Sequence, residues 1–170
     1  MKAALETFLP SSSQTPGRLN MFQFQNFQIL LDFAHNPAGM EALRKFTDTL
    51  DATHKVGIIA GIGDRREEDN NEMGKIIAQM CDEVIIRQDK NLRGKTEQEL
   101  IKMIDDGIKA YDPDKKTTII PSEMEAIMHA VNNAKKGSLI IVCSDVVPEA
   151  LQLVTRLKEQ ELSGEIIFGA

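Results

Sequence analysis

The sequence predicts an α/β protein with a Rossmann-like, mostly parallel sheet of about six strands that is flanked by helices on both faces. Short runs rich in β-branched residues alternate with amphipathic stretches along most of the chain. Strands that alternate with helices in this way pair in parallel through right-handed crossovers. The length of 170 residues fits one domain with a full core, since domains commonly have about 100–200 residues.

Six apolar runs have the length and composition of strands, and most of them are apolar enough to be buried on both faces. They are Leu19–Phe24, Phe27–Asp32, Val56–Ala60, Val84–Ile86, Thr117–Ile120 and Leu139–Cys143. Gln25 and Asn26, between the first two runs, predict a hairpin turn. The segment Glu165–Phe168 is a candidate for one further edge strand.

Between the strands, apolar residues recur three or four positions apart and mark one face of a helix. These stripes lie in the segments Met40–Leu50, Met73–Met80, Leu100–Ile108, Met124–Val131 and Val147–Leu157. Because each stripe is polar on its other side, each helix is expected to cover one face of the sheet. Asn36 before Pro37 is typical of a helix start, as is Thr96, and Ser122 with Glu125 fits a capping box.

The first residues of the chain differ in character from the rest. Residues 1–9 resemble the end of a helix, and Pro10–Gly17 is rich in turn and linker residues. We therefore expect residues 1–15 to be the end of a preceding domain with its linker, and residues 16–170 to form one domain. A lone domain of this size can bind a nucleotide, but it rarely holds every part of an ATP-driven reaction with several substrates.

Composition and charge exclude several classes of function. Lys and Arg total 20 against 26 for Asp and Glu, and the chain has no Trp and a single Tyr, which argues against a nucleic-acid-binding protein. No apolar run reaches the roughly 18 residues of a membrane helix, and the first ten residues make a poor signal peptide. Cys81 and Cys143 form no motif and are typical of reduced, buried residues in a cytoplasmic protein.

The unusual polar residues of the sequence follow the predicted strands. In open α/β sheets, ligands bind beyond the carboxyl ends of the strands. The segments at these ends are Asp32–Pro37, Gly61–Arg66, Arg87–Arg93, Ser122–Glu125 and Ser144–Asp145. One rim of the sheet is thus expected to collect carboxylates, guanidinium groups and a histidine, and to form the ligand site.

Each of these signals also has a plainer explanation. Asp32 and His35 stand before a helix N-terminus, a place that favours anions, but they are equally suited to satisfying the turn. Gly61 and Gly63 allow a close approach to a ligand or simply a tight turn. Arg65 or Arg66 could hold a carboxylate or phosphate, although Arg66 also fits a solvated run of charges.

Two apparent motifs carry no function. Gly94-Lys95-Thr96 is not a P-loop, because Asp89 stands where the Walker pattern requires glycine. His54 and His129 lack the spacing of zinc ligands to any other histidine or cysteine.

Several segments together resemble the C-terminal, glutamate ligase domain of the Mur ligase superfamily. The resemblance rests on Pro16-Gly17-Arg18 and on the run Asp32–Pro37, and it extends from Pro16 to the C-terminus. Within the superfamily, the cyanophycin synthetase branch is the most similar. That branch shares the run Asp32–Gly39, where Phe33 replaces a usual tyrosine, and the segments Gly63–Asp69, Leu92–Lys95 and Glu123–Ile127.

The resemblance implies an ATP-dependent amide ligase. Such enzymes use ATP to convert a carboxylate into an acyl phosphate, and an incoming amine then displaces phosphate to give an amide. The P-loop and most contacts to Mg²⁺ would lie in a central domain of the same polypeptide. The C-terminal domain closes over that site, helps to bind ATP and the incoming amino acid, and excludes water. This domain alone is therefore expected to be inactive.

The resemblance also implies roles for individual residues. Arg18 would reach the ATP phosphates, and Asp32 and His35 would contact the nucleotide, with Asn36 capping the helix beneath. Arg93 would grip the carboxylate of the incoming amino acid in a pocket that Asp64 and Arg65 also line.

In the cyanophycin branch the incoming amino acid is arginine, which is joined to an aspartate carboxylate and calls for acidic groups nearby. The candidates Asp64, Asp89, Glu123 and Glu125 are not distinguished by the sequence. Two alternatives stay open: a peptidoglycan Mur ligase or folylpolyglutamate synthetase with another amino acid, and a free-standing α/β binding module.

Overall fold

A six-stranded sheet forms the centre of the computed structural model, which describes residues 16–88, 92–166 and 168. The strands are β1 (Asn20–Gln23), β2 (Phe27–Asp32), β3 (His54–Ala60), β4 (Glu83–Arg87), β5 (Lys116–Ile119) and β6 (Ser138–Cys143). The helices are α1 (Pro37–Thr47), α2 (Glu67–Met80), α3 (Glu97–Tyr111), α4 (Glu123–Asn132) and α5 (Val147–Leu162). The predicted α/β class and the mostly parallel sheet are confirmed.

The strands lie in the order β1-β2-β6-β3-β4-β5, and only β1 runs antiparallel to its neighbour. The amide of Phe24 donates to the carbonyl of Phe27 at 2.9 Å and closes the predicted hairpin turn. The last strand, β6, is inserted between β2 and β3, with Leu31 and Ile58 as the neighbours of Val142. The carboxyl ends of β2, β6 and β3 are thereby brought side by side.

Helices cover both faces of the sheet, as predicted. The chain moves across the sheet in one direction from β2 to β5 and then returns to β6, so right-handed crossovers place the later helices on the opposite face. Helices α1, α2 and α3 pack on one face with Leu30 and Ile141. Helices α4 and α5 pack on the other face with Ile29 and Ile140.

Glycines bring α3 against both α2 and the end of β3. A Cβ atom at Gly107 would lie 1.9 Å from the carbonyl oxygen of Asn71, and one at Gly74 would lie 2.2 Å from that of Ile104. At Gly61 the added atom would lie 2.6 Å from the carbonyl oxygen of Leu100. Gly61 therefore allows two backbones to pack, and α3 carries its preceding loop to the end of β3.

The predicted end of one helix was wrong, and so was one candidate strand. Helix α1 ends at Thr47, and Leu50 lies in the following turn, where its amide donates to the carbonyl of Thr47 at 3.2 Å. In the segment Glu165–Phe168, the described residues 165, 166 and 168 are not in a strand. The Phe168 ring instead packs edge-on against the rings of Phe24 and Phe27, which draws this end of the chain into the core.

Residues 1–15 lie outside the described part of the chain, and so does the boundary predicted there. None of the helices that the structure describes has the length and apolar character needed to cross a membrane.

Candidate functional site

The carboxyl ends of the parallel strands carry most of the residues singled out from the sequence. Four loops meet there, comprising residues 33–36 after β2, 61–66 after β3, 92–95 before α3 and 144–146 after β6. We call this surface the carboxyl rim. Its position matches the place where ligands bind to open α/β sheets.

The loop that contains Arg18 is fastened to the end of β2. The amide of Leu19 donates to Asp32 Oδ2 at 2.8 Å, and the amide of Phe33 donates to the carbonyl of Gly17 at 2.7 Å. Gly17 and Leu19 have φ values of 70° and 50°, in the left-handed region that suits glycine. These contacts bring exposed Arg18 to the rim, where its guanidinium carbon lies 5.4 Å from the centre of the Phe33 ring.

Asp32 is buried beneath this loop. Burial raises the pKa of Asp32, and the hydrogen bond from Leu19 and the charge of Arg18 oppose the increase. The carboxylate therefore satisfies the turn, which is the plainer of its two explanations. It also fixes the loop on which Arg18 stands.

Phe33, His35 and Asn36 shape the start of α1. The rings of Phe33 and His35 lie 4.5 Å apart, and His35 Nδ1 is 2.9 Å from the carbonyl oxygen of Phe33. This contact leaves Nε2 as the ring nitrogen that a ligand can meet. Asn36 Oδ1 accepts from the amide of Gly39 at 2.8 Å, which confirms Asn36 as the predicted N-cap with Pro37 as the first helical residue.

A pocket of about 240 Å³ opens between these loops, and we call it the rim pocket. It brings together four predicted site residues and adds three others: Phe33, His35, Ile62, Asp64, Arg65, Arg93 and Asp145. Two guanidinium groups and two carboxylates share one pocket with an imidazole and apolar walls. Such a lining complements a small ligand that carries both a carboxylate and a cationic group.

Lys95 joins two of the rim loops, a role that the sequence did not reveal. Its Nζ donates to the carbonyls of Gly63 at 2.6 Å and of Arg65 at 2.8 Å. The next residue, Thr96, is the predicted N-cap of α3 and forms a full capping box with Glu99. In the Gly94-Lys95-Thr96 sequence, Lys95 thus connects two loops and Thr96 caps α3, and the segment does not form a P-loop.

The remaining arginine of the β3–α2 loop does not belong to the pocket. Arg66 is exposed and pairs with Asp69 at 3.0 Å. The solvated explanation is therefore correct for Arg66, whereas Arg65 lines the rim pocket and donates from Nε to the carbonyl of His35 at 3.3 Å.

A buried ionic network lies behind the rim pocket and was missed in the sequence. Arg87, at the end of β4, lies beside Glu123 (Nε to Oε2, 2.9 Å) and Asp145 (Nη2 to Oδ1, 2.6 Å). Its Nη2 also donates to the carbonyl of Cys143 at 3.0 Å. Arg87 pairs in register with Ala60 of β3, so its long side chain reaches past a small residue to β6. We call Arg87, Glu123 and Asp145 the Arg87 network.

The pKa values of two buried groups beneath the rim are raised: those of the Glu123 carboxyl and the Cys143 thiol. Burial raises the pKa of Glu123, opposed by the charge of Arg87 and a hydrogen bond from Ser144. Burial, with the charge of Asp32 beside it, raises the pKa of Cys143 to about 12. The Cys143 thiol therefore remains protonated near neutral pH and is unsuited to act as a nucleophile.

A second cavity of about 340 Å³ lies on the other side of the Arg87 network, and we call it the acidic cavity. Its carboxylates come from the first turns of three helices and are Glu97, Glu123 and Glu149. Apolar walls are supplied by Leu92, Pro121, Met124 and Val146.

The four acids considered for a cationic substrate occupy different places. Asp64 lines the rim pocket, and Glu123 lines the acidic cavity. Glu125 is exposed, and its amide is capped by Ser122 at 3.4 Å. Asp89 lies outside the described residues. Asp145 was not among the candidates, although it lines the rim pocket.

Comparison with known proteins identifies related sequences over most of the chain. The family model for "Mur ligase, glutamate ligase domain" matches residues 17–146. A cyanophycin synthetase from a Nostoc species is 35% identical over 154 residues, which is 91% of this chain and 17% of that protein. One from a Synechocystis species is 33% identical over 158 residues, or 93% of this chain and 18% of that protein. The chain thus spans less than a fifth of the length of these relatives.

A UDP-N-acetylmuramoyl-L-alanyl-D-glutamate–2,6-diaminopimelate ligase from Caldanaerobacter subterraneus is more distant. It is 29% identical over 118 residues, which cover 69% of this chain and 24% of that protein. These matches confirm the resemblance drawn from the sequence.

Solved structures share the fold at lower identity. A structure of a 2,6-diaminopimelate ligase of the same kind aligns with a TM-score of 0.68 at 18% identity, covering 84% of this chain and 32% of that one. Escherichia coli FolC in complex with ADP aligns with a TM-score of 0.67 at 19% identity, covering 93% of this chain and 38% of that one.

Proposed function

The chain belongs to the Mur ligase family through its glutamate ligase domain, and we propose that it is the C-terminal domain of an amide ligase of the cyanophycin synthetase type. The rim pocket is the observation that carries the proposal. It gathers His35, Asp64, Arg65 and Arg93 from three loops into a lining that suits an amino acid. ATP-dependent amide ligation is the chemistry that the family resemblance implies for such a domain.

The proposed reaction requires a second domain. The sequence contains no Walker motif, so activation of the carboxylate by ATP is assigned to a P-loop domain that acts together with this chain. We call that assembly the whole ligase. The carboxyl rim closes against the P-loop domain and excludes water, which protects an acyl phosphate from hydrolysis. Because the reaction consumes ATP, we place it in the cytoplasm.

Nucleotide binding is assigned to the part of the rim around the start of α1. Exposed Arg18 supplies a fixed positive charge to the ATP phosphates, and His35 supplies Nε2. Asp32 acts by holding the Arg18 loop, and Asn36 by capping α1. Guanidinium and helix N-terminal amide groups suit phosphate oxygens.

Magnesium is assigned to the P-loop domain. In the described part of this chain, no group of three or more His, Cys, Asp or Glu side chains is arranged to hold a metal ion.

The incoming amino acid is assigned to the rim pocket, with Arg93 and Arg65 as partners of its carboxylate. We propose arginine as this amino acid, joined to an aspartate carboxylate. Carboxylates lie both in the rim pocket, at Asp64 and Asp145, and in the acidic cavity beyond the Arg87 network. A cationic side chain can therefore extend along the rim and meet acidic groups.

Diaminopimelate is the second candidate, because diaminopimelate ligases are among the relatives. Its distal end carries a carboxylate as well as an ammonium group. The acidic cavity carries three glutamates, and its arginine, Arg87, is engaged by Glu123 and Asp145, so the lining suits a guanidinium better than a second carboxylate.

The proposal is tested by measuring ADP formation by the whole ligase with arginine, diaminopimelate and glutamate. Arginine should support the fastest reaction. The variants Arg18→Ala and His35→Ala should each lower kcat/KM for ATP by about 10-fold or more, the effect of losing one charged or polar contact. Lys135→Ala and His129→Ala, exposed at the opposite end of the sheet, are the controls and should retain activity. Unchanged turnover in both rim variants would contradict the assigned roles.

A further inference from the structure

We propose that Asp145 binds the cationic group of the incoming amino acid, and that Arg87 is a positioning residue that holds Asp145 at the rim pocket. The proposal rests on the proposed function, since it concerns the amino acid assigned to this pocket. The cationic group is either the α-ammonium or the guanidinium of arginine, which share the same preference for a carboxylate.

Asp145 lies between the rim pocket on one side and the buried side chain of Arg87 on the other. Its carboxylate lines the rim pocket together with Arg93 and Asp64. On its other side it lies 2.6 Å from Arg87 Nη2, with the Asp145 side chain 21% exposed and the Arg87 side chain 2% exposed. Asp145 thus lies between the buried guanidinium of Arg87 and the rim pocket. Its contact with Arg87 fixes the orientation of its carboxylate.

The geometry around Arg87 explains why an arginine stands there. The three nitrogens of one guanidinium serve four partners: Nε lies beside Glu123, Nη2 lies beside Asp145 and donates to the carbonyl of Cys143, and Nη1 donates to the carbonyl of Gln88 at 3.2 Å. A lysine has a single nitrogen on a flexible chain and cannot keep these directions together. Glu123 is in turn fixed by Ser144 Oγ at 2.5 Å. The whole arrangement holds the loop after β6.

Stability alone does not account for the Arg87 network. A buried ion pair loses hydration on folding, and apolar residues of similar volume often give a protein that is equally or more stable. Holding Asp145 beside the rim pocket is the role that we assign to Arg87 in addition to any stability that the pair provides.

The pocket also separates the two ends of an amino acid. Arg65 and Arg93 supply positive charge to a carboxylate, whereas Asp64 and Asp145 supply negative charge. An amino acid bound in one orientation can satisfy both pairs. We therefore expect Asp145 to govern affinity for the amino acid more than the rate of the chemical step.

The test measures KM and kcat of the whole ligase for arginine and for citrulline, which has nearly the same shape and an uncharged side chain. Asp145→Asn should raise the KM for arginine about 10- to 100-fold and change kcat much less, as expected for one charged contact. If Asp145 meets the guanidinium, the variant loses its preference for arginine over citrulline. If it meets the α-ammonium, both KM values rise together. Arg87→Lys should reproduce the effect of Asp145→Asn.

Matched controls separate positioning from a loss of folding. Arg44→Lys changes an arginine that also lies between two carboxylates, Glu41 and Asp48, but on α1 and away from the rim, and it should leave KM unchanged. Asp106→Asn is the corresponding control for Asp145→Asn. The double variant Arg87→Met with Glu123→Gln removes the two most deeply buried charges of the network together and should regain thermal stability relative to Arg87→Met, while its KM stays high. Recovery of KM along with stability would show a merely structural role.

The proposal is overturned if Asp145→Asn leaves both KM values unchanged. If the whole ligase forms no ADP with any amino acid, the proposed function fails instead, and a titration of the isolated chain with arginine, followed by amide chemical shifts, decides the question. Shifts around residues 144–146 that disappear in Asp145→Asn would uphold the proposal. Absence of such shifts in the unsubstituted chain would overturn it.

Discussion

The two ends of the same sheet use charged residues in opposite ways. At the amino end, Glu83 of β4 lies 2.9 Å from His54 Nε2 and 2.5 Å from Lys116 Nζ, and the Lys116 side chain is 67% exposed. At the carboxyl end, Arg87 of the same strand lies 2.9 Å from Glu123, and these side chains are 2% and 4% exposed. One strand thus begins in a solvated ionic cluster and ends in a buried one.

The pKa values of acidic groups also differ between the two ends of the sheet. Burial would raise the pKa of Glu83, but hydrogen bonds from Lys116 and His54 outweigh it, so the pKa is lowered. At the carboxyl end, burial outweighs the favourable partners and raises the pKa of Asp32 and of Glu123. Titratable groups whose pKa values are shifted in this way cluster at functional sites. The comparison fits the proposed function, in which the carboxyl end binds ligands at a cost in stability and the amino end contributes to stability.

The largest expected effect is the loss of Arg87 without its partners. Arg87→Met leaves the buried carboxylate of Glu123 without its cation, removes one partner of Asp145, and should lower the free energy of unfolding by about 3–5 kcal/mol. Lys116→Met at the amino end should lower it by at most about 1 kcal/mol, because exposed pairs contribute little. Urea denaturation of the two variants measures both values. Equal losses would remove the distinction between the two ends.

A smaller effect is expected from the glycine that seats α3 beside β3. Gly61→Ala forces a methyl group against the carbonyl of Leu100 and should cost about 1–3 kcal/mol. Gly164→Ala, beyond the end of α5, meets no atom within 4 Å and has only its φ of +76° to oppose it, so about 1 kcal/mol is expected. Thermal unfolding compares them. A larger cost at Gly164 would contradict the packing role of Gly61.

The smallest expected effect is a pH dependence of opposite sign at the two ends. Because the folded pKa of Asp32 is raised, its contribution to stability is present at low pH and is lost as pH rises through the folded pKa. The stability of Asp32→Asn relative to the unsubstituted chain should therefore increase from about pH 3 to about pH 7.

For Glu83, the folded pKa is lowered, so its contribution is present at neutral pH and is lost on acidification. Glu83→Gln should destabilise the chain near pH 7 and have little effect near pH 3. Urea titrations at several pH values test both variants together. Slopes of the same sign would contradict the contrast between the two ends.

The sequence predicted the sheet, the helix starts and the rim because these depend on local patterns. Asn36 and Thr96 cap their helices as short-range preferences require. The Arg87 network could not be found in this way, since its members come from β4, α4 and the end of β6 and meet only when β3 presents Ala60 between them. The one available signal was an arginine at the end of the apolar run Val84–Ile86.

The assigned role of Asp32 illustrates the same limit. Its place before a helix N-terminus indicated a ligand contact, but the choice between ligand and turn depends on where the Arg18 loop folds back. In the structure, the amide of Leu19 donates to Asp32 Oδ2 at 2.8 Å. Contacts between distant segments thus establish the turn role of Asp32, whereas its contact with a nucleotide stays a prediction.

The central claim is that ligands bind at the carboxyl rim and not at the amino end. Hydrogen–deuterium exchange of the whole ligase, with and without a non-hydrolysable ATP analogue and arginine, tests it most directly. We expect the ligands to slow exchange in residues 33–36, 61–65 and 144–146, and to leave residues 54–56, 82–84 and 116–118 unchanged. Protection of the amino-end segments without protection of the rim would contradict the account.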